Sequence, residues 1–254
     1  MNIVVIFGSP RKKNSFILTE AFERELKKLG DFNFEYFFLN EINLKTCIGC
    51  HQCLFRGEEN CPLKDDREML TEKMLTSQGI VFVSPVYVSQ VTSLMKNFID
   101  RMAFLCHRPQ LYYQHAMVIS TTGVMDLKKV LKYLTEVAFM WGIRSATTLG
   151  IVTPPDKKKE EIENDKKIEK AARKFYKKLT SQKWSPSINQ LIQFRVIKVF
   201  LASKVTKDIS PKDYQHYTKL KDQSYHIPVK MNFFKHLIGW GMELMVKLFI
   251  KIKY

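Results

Sequence analysis

The chain opens with residues 1–15, MNIVVIFGSPRKKNS, and this stretch decides the fold. Residues 3–7 form an unbroken apolar run that is too short for a helix and rich in β-branched types, which predicts a strand buried on both faces. Gly8 then permits a sharp turn that a side chain would resist. Residues 15–29 follow with apolar positions at helical spacing. The opening stretch therefore predicts a buried strand, a polar turn and a helix.

The polar turn between that strand and that helix is a candidate anion site. It carries hydroxyl, amide and cationic side chains, and the first N–H groups of a helix point outward beside the positive end of the helix dipole. The alternative interpretation is an ordinary turn in which Asn14 or Ser15 caps the helix. The turn alone does not separate the two interpretations.

Four further short apolar runs predict strands, and helical patterns separate them. Alternating strands and helices predict a parallel sheet with right-handed crossovers, and five such units in about 180 residues fit a flavodoxin-like, doubly wound α/β sheet of order 2-1-3-4-5. Ligands of such sheets bind at the carboxyl ends of the strands, where three loops converge, residues 8–15, 85–89 and 121–124. The predicted strands after the first are residues 33–39, 79–84, 116–121 and 146–152.

The composition constrains the partners. The formal net charge is +16 and the pI is about 9.6, which favours anionic ligands, acidic proteins or lipid head groups. The sequence contains no recognisable nucleic-acid-binding motif, so we predict no nucleic-acid partner. It contains neither G-x-G-x-x-G nor the Walker sequence, which disfavours a dinucleotide or Walker-type site in the opening turn. The N-terminus lacks a basic segment followed by an apolar one, so we expect a cytoplasmic protein.

Three motifs in this order resemble the NADPH-dependent FMN reductase family of flavodoxin-like proteins: GSPRKKNS, SPVYVSQVTSLMKNFIDR, and a cysteine loop closed by two aspartates. The resemblance covers roughly residues 1–180 and implies bound FMN. It assigns the phosphate to the first loop and the isoalloxazine ring to the second and third. One departure from the family is Val88, where an aromatic residue is common. The implied contacts are Ser9, Arg11, Asn14, Ser15 and Phe16 for the phosphate, Pro85, Val86, Tyr87 and Val88 for the ring, and Thr121, Thr122 and Gly123 for its far edge.

The resemblance also implies an activity. Such a protein is an FMN-dependent oxidoreductase that passes electrons from NAD(P)H or a reduced carrier to a small acceptor such as a quinone or a flavin. Because the flavin carries most of the chemistry, we expect no obligatory general acid or base from the protein. FMN sites of the family often lie at dimer interfaces, so a homodimer or higher homo-oligomer is expected.

Four cysteines crowd into a polar loop with the spacing Cys47-x2-Cys50-x2-Cys53-x7-Cys61. Three thiolates two residues apart with a more remote fourth could hold a [4Fe–4S] cluster, a pattern close to the ferredoxin run. It resembles the compact motif of the iron–sulfur flavoproteins, a branch of the same group in which a cluster passes electrons to FMN. The alternative function is then electron transfer with ferredoxin. Zinc and simple loop thiols remain open as further interpretations.

The C-terminal third differs in composition. A boundary near Trp184 separates a flavodoxin-like domain, residues 1–182, from a basic and apolar extension, residues 183–254, with 13 Lys or Arg against 4 Asp or Glu. Residues 188–202 and 231–250 are predicted helices, and the second is mostly apolar with a narrow polar stripe. We expect it to pack on its own domain or on a second subunit, with peripheral membrane contact by residues 231–254 as the alternative.

Overall fold

The computed structural model describes residues 1–154, 156, 158–163 and 165–253, with side chains through residue 249. The chain divides into two compact units. We call them the sheet unit, Met1–Ile48, Leu63–Met102 and Tyr113–Ser181, and the helical unit, Gly49–Pro62, Ala103–Tyr112 and Gln182–Tyr254. The helical unit thus includes two earlier segments as well as the C-terminal third, whereas the sequence pattern suggests a single boundary after residue 182.

The sheet unit contains five parallel strands in the order β2-β1-β3-β4-β5. This arrangement confirms the predicted flavodoxin-like α/β fold. The central strands are buried along almost their whole length because helices cover both faces of a parallel sheet. The strands are β1 Asn2–Phe7, β2 Asn33–Phe38, β3 Gly79–Val83, β4 His115–Thr122 and β5 Ser145–Val152.

Helices form a layer on each face of the sheet. On one face, α1 and α8 bury Phe22 and Phe175 against alternate residues of the strands, among them Val5 and Val81. On the other face, Trp141 follows α6 and contacts Phe82 of β3 at 5.8 Å between ring centroids. The helices of this unit are α1 Asn14–Lys27, α3 Arg67–Thr76, α4 Ser93–Arg101, α6 Leu127–Met140, α7 Lys159–Glu163 and α8 Lys166–Leu179.

Within its described residues, the charged segment after β5 contains two helices, α7 and α8. The side chain of Asp165 accepts a hydrogen bond from the N–H of Lys167 and caps α8. A capping aspartate has non-helical backbone angles, and so it starts a new helix here.

The helical unit has its own small core, in which Leu191 and Phe194 of α9 pack against Tyr217 and Tyr225. A capping box of Ser187 and Gln190 begins α9. Among the helices of the described residues, none combines enough length and apolar character to span a bilayer. The helices are α2 Gln52–Phe55, α5 Phe104–His107, α9 Ile188–Leu201, α10 Lys204–Ile209, α11 Pro211–Lys219 and α12 Phe233–Lys253, with a 3₁₀ turn at Glu58–Asn60.

Candidate functional site

The turn after β1 is fixed to its neighbours through Gly8. The Gly8 N–H donates to the carbonyl of Val83 at 2.8 Å, and the Gly8 carbonyl accepts from the Thr92 hydroxyl. Gly8 lies outside the left-handed region of positive φ, so backbone conformation is not what requires glycine here. The physical reason is space, because a Cβ at this position would lie 2.8 Å from the Cβ of Met95 in α4. Close packing against α4 thus requires the glycine.

The polar turn that follows is ordered by Ser9. Its hydroxyl accepts from the N–H of Arg11 at 3.3 Å and donates to the Arg11 carbonyl at 3.1 Å. Helix α1 then begins with Lys13 as the N-cap, and no side chain caps its first turn. The sequence-based alternative of a cap by Asn14 or Ser15 is therefore wrong. With no acidic side chain in the first turn, the helix start remains suited to an anion.

Ser15 contributes to the site in another way. Its hydroxyl shares a hydrogen bond with the Thr121 hydroxyl, with 2.6 Å between the two oxygens. Both residues are buried, and 106 positions separate them in the chain. This bond joins the start of α1 to the carboxyl end of β4.

The segments after β3 and β5 are hydrogen-bonded to the carboxyl end of β4. The N–H of Val86 donates to the Thr121 carbonyl at 2.8 Å, and the N–H of Thr153 donates to the Thr122 carbonyl at 2.7 Å. The chain segments after β1, β3, β4 and β5 therefore end at one edge of the sheet. This is the edge where ligands of open parallel sheets bind.

These loops enclose a cavity of about 220 Å³. Nine of the twelve residues that the family resemblance assigns to FMN line it, and two further lining residues, Lys13 and Thr153, were not predicted. Lys13 belongs to the same polar run as Arg11, which could have indicated it. Thr153 follows β5, and the sequence pattern assigned no loop after that strand to the site. The predicted residues in the lining are Ser9, Arg11, Asn14, Ser15, Pro85, Val86, Thr121, Thr122 and Gly123.

Phe16 lies outside this lining. Its ring contacts those of Phe7, Tyr36 and Phe38 at 5.9 to 6.1 Å between centroids, and its N–H donates to the Lys13 carbonyl at 2.8 Å. Both its side chain and its backbone donor are thus engaged in packing α1 onto the sheet.

Tyr87 and Val88 also lie outside the lining, in a tight turn after β3. Tyr87 and Gln90 exchange two backbone hydrogen bonds of 2.8 and 3.0 Å, which leaves Val88 86% exposed with a φ of 47° and Ser89 with a φ of 61°. A β-branched residue rarely adopts this left-handed conformation, so the turn is strained. The Ser89 hydroxyl donates to the carboxylate of Asp126, which joins the turn to the loop after β4.

The charge of the cavity suits a dianion. Arg11 and Lys13 line it together with hydroxyl and amide groups, and none of the described lining residues is acidic. A phosphate monoester needs such N–H, hydroxyl and cationic donors, and the planar guanidinium of Arg11 matches two phosphate oxygens at once. The residues present therefore fit the phosphate end of FMN.

The four cysteines of the long loop do not fit a metal cluster in this conformation. Within the described residues, no group of three or more His, Cys, Asp or Glu side chains could hold a metal ion. In the sheet unit, the N–H of Cys47 donates to the amide oxygen of Asn97 at 3.0 Å. In the helical unit, Cys50 is exposed, Cys53 is partly buried and Cys61 is buried. The cluster and zinc interpretations thus gain no support from these positions.

A buried arginine, which the sequence did not single out, fixes the part of the cysteine loop in the helical unit. The Arg108 guanidinium donates to the carbonyls of Cys53 at 2.5 Å and Leu54 at 2.9 Å, to the carboxylate of Glu58 at 3.0 Å, and to Asp213. Burial alone would raise the pKa of Asp213, but hydrogen bonds from His107 and a nearby serine, together with the Arg108 charge, hold it below its usual value. The carboxylate is therefore ionised and paired.

A doubly wound parallel sheet of order 2-1-3-4-5, with a polar, cationic cavity at the switch point of that order, defines a flavodoxin-like protein. The family model described as NADPH-dependent FMN reductase matches residues 1–156, and the chain belongs to that family.

Relatives and solved structures agree with this assignment. An iron–sulfur flavoprotein of Clostridioides difficile is 30% identical over 82% of this chain and 93% of that protein. One of Archaeoglobus fulgidus is 36% identical over 56% of this chain and 64% of that protein. The structure of apo NADH:FMN oxidoreductase (EmoB) matches with a TM-score of 0.53 at 20% identity, over 71% of this chain and 91% of that one. The structure of NAD(P)H:quinone oxidoreductase from Methanothermobacter marburgensis matches with a TM-score of 0.52 at 21% identity, over 73% of this chain and 98% of that one. At these identities the structural matches show the shared fold.

Proposed function

We propose that this protein is an FMN-containing oxidoreductase that takes electrons from NAD(P)H and passes them to a small acceptor such as a quinone or a free flavin. The observation that carries the proposal is the cationic cavity without acidic lining at the carboxyl ends of β1, β3 and β4, in a chain of the FMN reductase family. Structures that share this fold include an NADH:FMN oxidoreductase and an NAD(P)H:quinone oxidoreductase, which supports the same class of reaction.

In this proposal, the first loop holds the phosphate. Arg11 and Lys13 supply charge, and the Asn14 amide supplies directed hydrogen bonds. The Ser15 hydroxyl can accept from Thr121 and donate to the phosphate, whereas the Ser9 hydroxyl donates to the Arg11 carbonyl and orders the turn. The Ser15–Thr121 hydrogen bond positions the helix start, so that its N–H groups face the anion. Phe16 supports this loop through the aromatic cluster beneath it.

The isoalloxazine ring is assigned to the second and third loops. Pro85 and Val86 line the cavity, and the exposed Tyr87 and Val88 lie next to them on the strained turn. Gly123 leaves space in the third loop, because no atom other than those of its chain neighbours lies within 4 Å of the position a Cβ would take there. When bound, FMN supplies the hydride and electron chemistry, and the protein orients it and excludes water. No side chain is assigned as a general acid or base.

Flavin titration tests the phosphate assignment. Arg11→Met removes one charge-assisted contact, which is worth about 1.5–3 kcal/mol, so FMN should bind roughly tenfold to a hundredfold more weakly. Riboflavin lacks the phosphate, and its affinity should not change. The measurement is the quenching of flavin fluorescence by the apoprotein. Arg24→Met is the matched control, because Arg24 lies at the far end of α1 and pairs with Glu163.

Two outcomes would contradict the proposal. If Arg11→Met weakens FMN and riboflavin equally, the first loop does not hold the phosphate. If the wild-type protein binds no FMN and oxidises neither NADH nor NADPH with any quinone or flavin acceptor, the oxidoreductase assignment fails.

The homodimer expected for the family stays a prediction, which light scattering of the FMN-loaded protein checks.

A second candidate is an iron–sulfur flavoprotein that exchanges electrons with ferredoxin. The specific observations that favour it are the spacing of Cys47, Cys50, Cys53 and Cys61 and the relatives that carry this name. Within the helical unit, Cys50, Cys53 and Cys61 are not grouped as metal ligands in the described conformation, so cluster binding by them requires that part of the loop to rearrange.

Iron and acid-labile sulfide analysis of anaerobically purified protein separates the two candidates. About four irons and four sulfides per chain, lost in Cys50→Ser but kept in Cys106→Ser, would establish a [4Fe–4S] protein. Zinc without sulfide would indicate a zinc site. A protein that contains FMN but no metal, and that oxidises NAD(P)H, would leave the first candidate.

A further inference from the structure

Helix α12 exposes an apolar face to solvent. Phe233, Leu237, Trp240, Leu244 and Leu248 follow one another at steps of three or four residues, which places them on one side of the helix. All five are exposed, Phe233 to 80% and Trp240 to 60%. Such a contiguous aromatic and aliphatic face is unusual on the surface of a globular protein and marks an interaction site.

The opposite side of α12 is already packed. Gly239 lies against Leu191 of α9, where a Cβ would come within 3.3 Å of the leucine side chain. Glu243 is buried and accepts from the guanidinium of Arg195 at 2.6 Å, with Lys198 3.4 Å away. These contacts are within the helical unit, and they fix which face of α12 is turned outward.

A groove beside the exposed face continues it. It has a volume of about 440 Å³, and Val199, Leu244 and Leu248 form its apolar lining. Its charged lining consists of Lys221 and of Glu243, which pairs with Lys198 and Lys247. Because Leu244 and Leu248 belong to both features, the apolar surface extends from the outer face of α12 toward α9. The volume suits part of an acyl chain, and Lys221 suits an anionic head group.

The charge of residues 183–254 favours an anionic membrane over a second copy of this chain as the partner of the exposed face. Residues 183–254 contain 13 Lys or Arg and 4 Asp or Glu, and two of those acids, Asp213 and Glu243, are buried in ion pairs of their own unit. A second copy on the same face would bring equal positive charges together across a two-fold axis. A surface of anionic lipid instead pairs with the cations while it accepts the aromatic and aliphatic side chains.

We propose that α12 attaches this protein to the surface of an anionic membrane, with its face of Phe233, Leu237, Trp240, Leu244 and Leu248 in the boundary between head groups and acyl chains. The helix lies parallel to the membrane plane, because only one side of it is free to meet lipid. This proposal does not depend on the flavin site and stands or falls independently of it.

Vesicle flotation of the whole chain, with or without added FMN, tests the proposal. The probes are vesicles of phosphatidylcholine alone and vesicles with about one third phosphatidylglycerol. The wild-type protein should float with the anionic vesicles, and both neutral vesicles and about 0.5 M NaCl should reduce the bound fraction severalfold. Leu237→Glu combined with Trp240→Glu should lower the apparent partition constant by about tenfold or more, because two carboxylates replace apolar groups in the boundary.

The matched control is Leu75→Glu, which makes the same exchange at an exposed leucine of α3. It should float like the wild type, and equal circular dichroism and FMN content would show that every variant is folded. Wild-type protein that stays at the bottom of the gradient, or a double variant that floats normally, would overturn the proposal. So would a wild-type dimer that the double variant splits while neither protein binds vesicles, because the face would then join two copies.

Discussion

At the scale of single residues, the site depends on contacts that no local pattern encodes. Ser15 reads as a helix cap, yet its hydroxyl bonds Thr121 from a strand far along the chain. Gly8 reads as a turn glycine, yet close approach to Met95 is what excludes a side chain. In both cases the sequence gives only the residue type. The structural role of the residue depends on which residue lies next to it in the fold.

His115, at the start of β4, predicts how stability depends on pH. Burial, with help from the charges of Arg144 and Lys178, lowers its pKa from 6.5 to about 4. The folded state therefore holds the neutral imidazole, and the unfolded state binds one more proton between these two pH values. Stability from this residue is complete above pH 6.5 and is lost as the pH falls toward 4, with a slope of up to about 1.4 kcal/mol per pH unit.

Urea denaturation of the wild type and of His115→Asn at several pH values measures this effect. The difference in unfolding free energy between the two proteins should shrink as the pH falls from 7 to 4.5, because only the wild type binds a proton at His115 when it unfolds. His226, whose pKa burial lowers to about 3, is present in both proteins and cancels in the comparison. Parallel pH profiles for the two proteins would contradict the assignment.

At the scale of elements, one buried arginine joins segments of the helical unit that have little regular structure of their own. Arg108 follows α5, contacts the carbonyls at the end of α2, and pairs with Asp213 of α11. These elements are short, with four residues in α2 and in α5. Isolated helices of this length are unstable in water, so the ion pair and its carbonyl contacts stabilise them.

We predict that Arg108→Met destabilises the helical unit by about 3–5 kcal/mol, because it leaves the Asp213 carboxylate buried with its main charge partner removed. Arg108→Lys should recover only part of this loss, since an ammonium cannot reach carbonyl and carboxylate partners in a fixed fork. Urea denaturation and proteolysis of residues 49–62 provide the measurements.

The matched control for this change is Lys132→Met. Lys132 pairs with Glu136 on the surface of α6, where its side chain is 77% exposed. An exposed pair of this kind contributes less than about 1 kcal/mol. Equal losses in the two variants would show that the Arg108 network does not stabilise the unit.

At the scale of the whole molecule, charge governs how partners approach. The formal net charge of +16 favours encounter with anions, and NAD(P)H, the electron donor proposed above, is an anion. We predict that kcat/KM for NADPH falls severalfold between about 0.02 and 0.2 M salt, because the Debye length shortens over this range. The KM for an uncharged quinone acceptor is the internal control and should change little; an equal response of both would contradict electrostatic steering.

The sequence by itself determined the fold. Each strand is a short apolar run bounded by polar turns, each crossover has helical spacing, and these local properties select a parallel sheet with helices on both faces. It also indicated most of the cavity lining, because loops that follow parallel strands must meet at one edge of the sheet. The order of motifs was enough to identify the family.

Only the tertiary structure decided how distant segments combine. Residues 49–62 and 103–112 belong with the C-terminal helices in one compact unit, although they are separate in the chain. The Arg108–Asp213 pair spans 105 positions, and the exposure of one face of α12 depends on what packs against the other. Periodicity records which residues share a face but not what covers it, because burial depends on contacts between segments that are remote in the sequence.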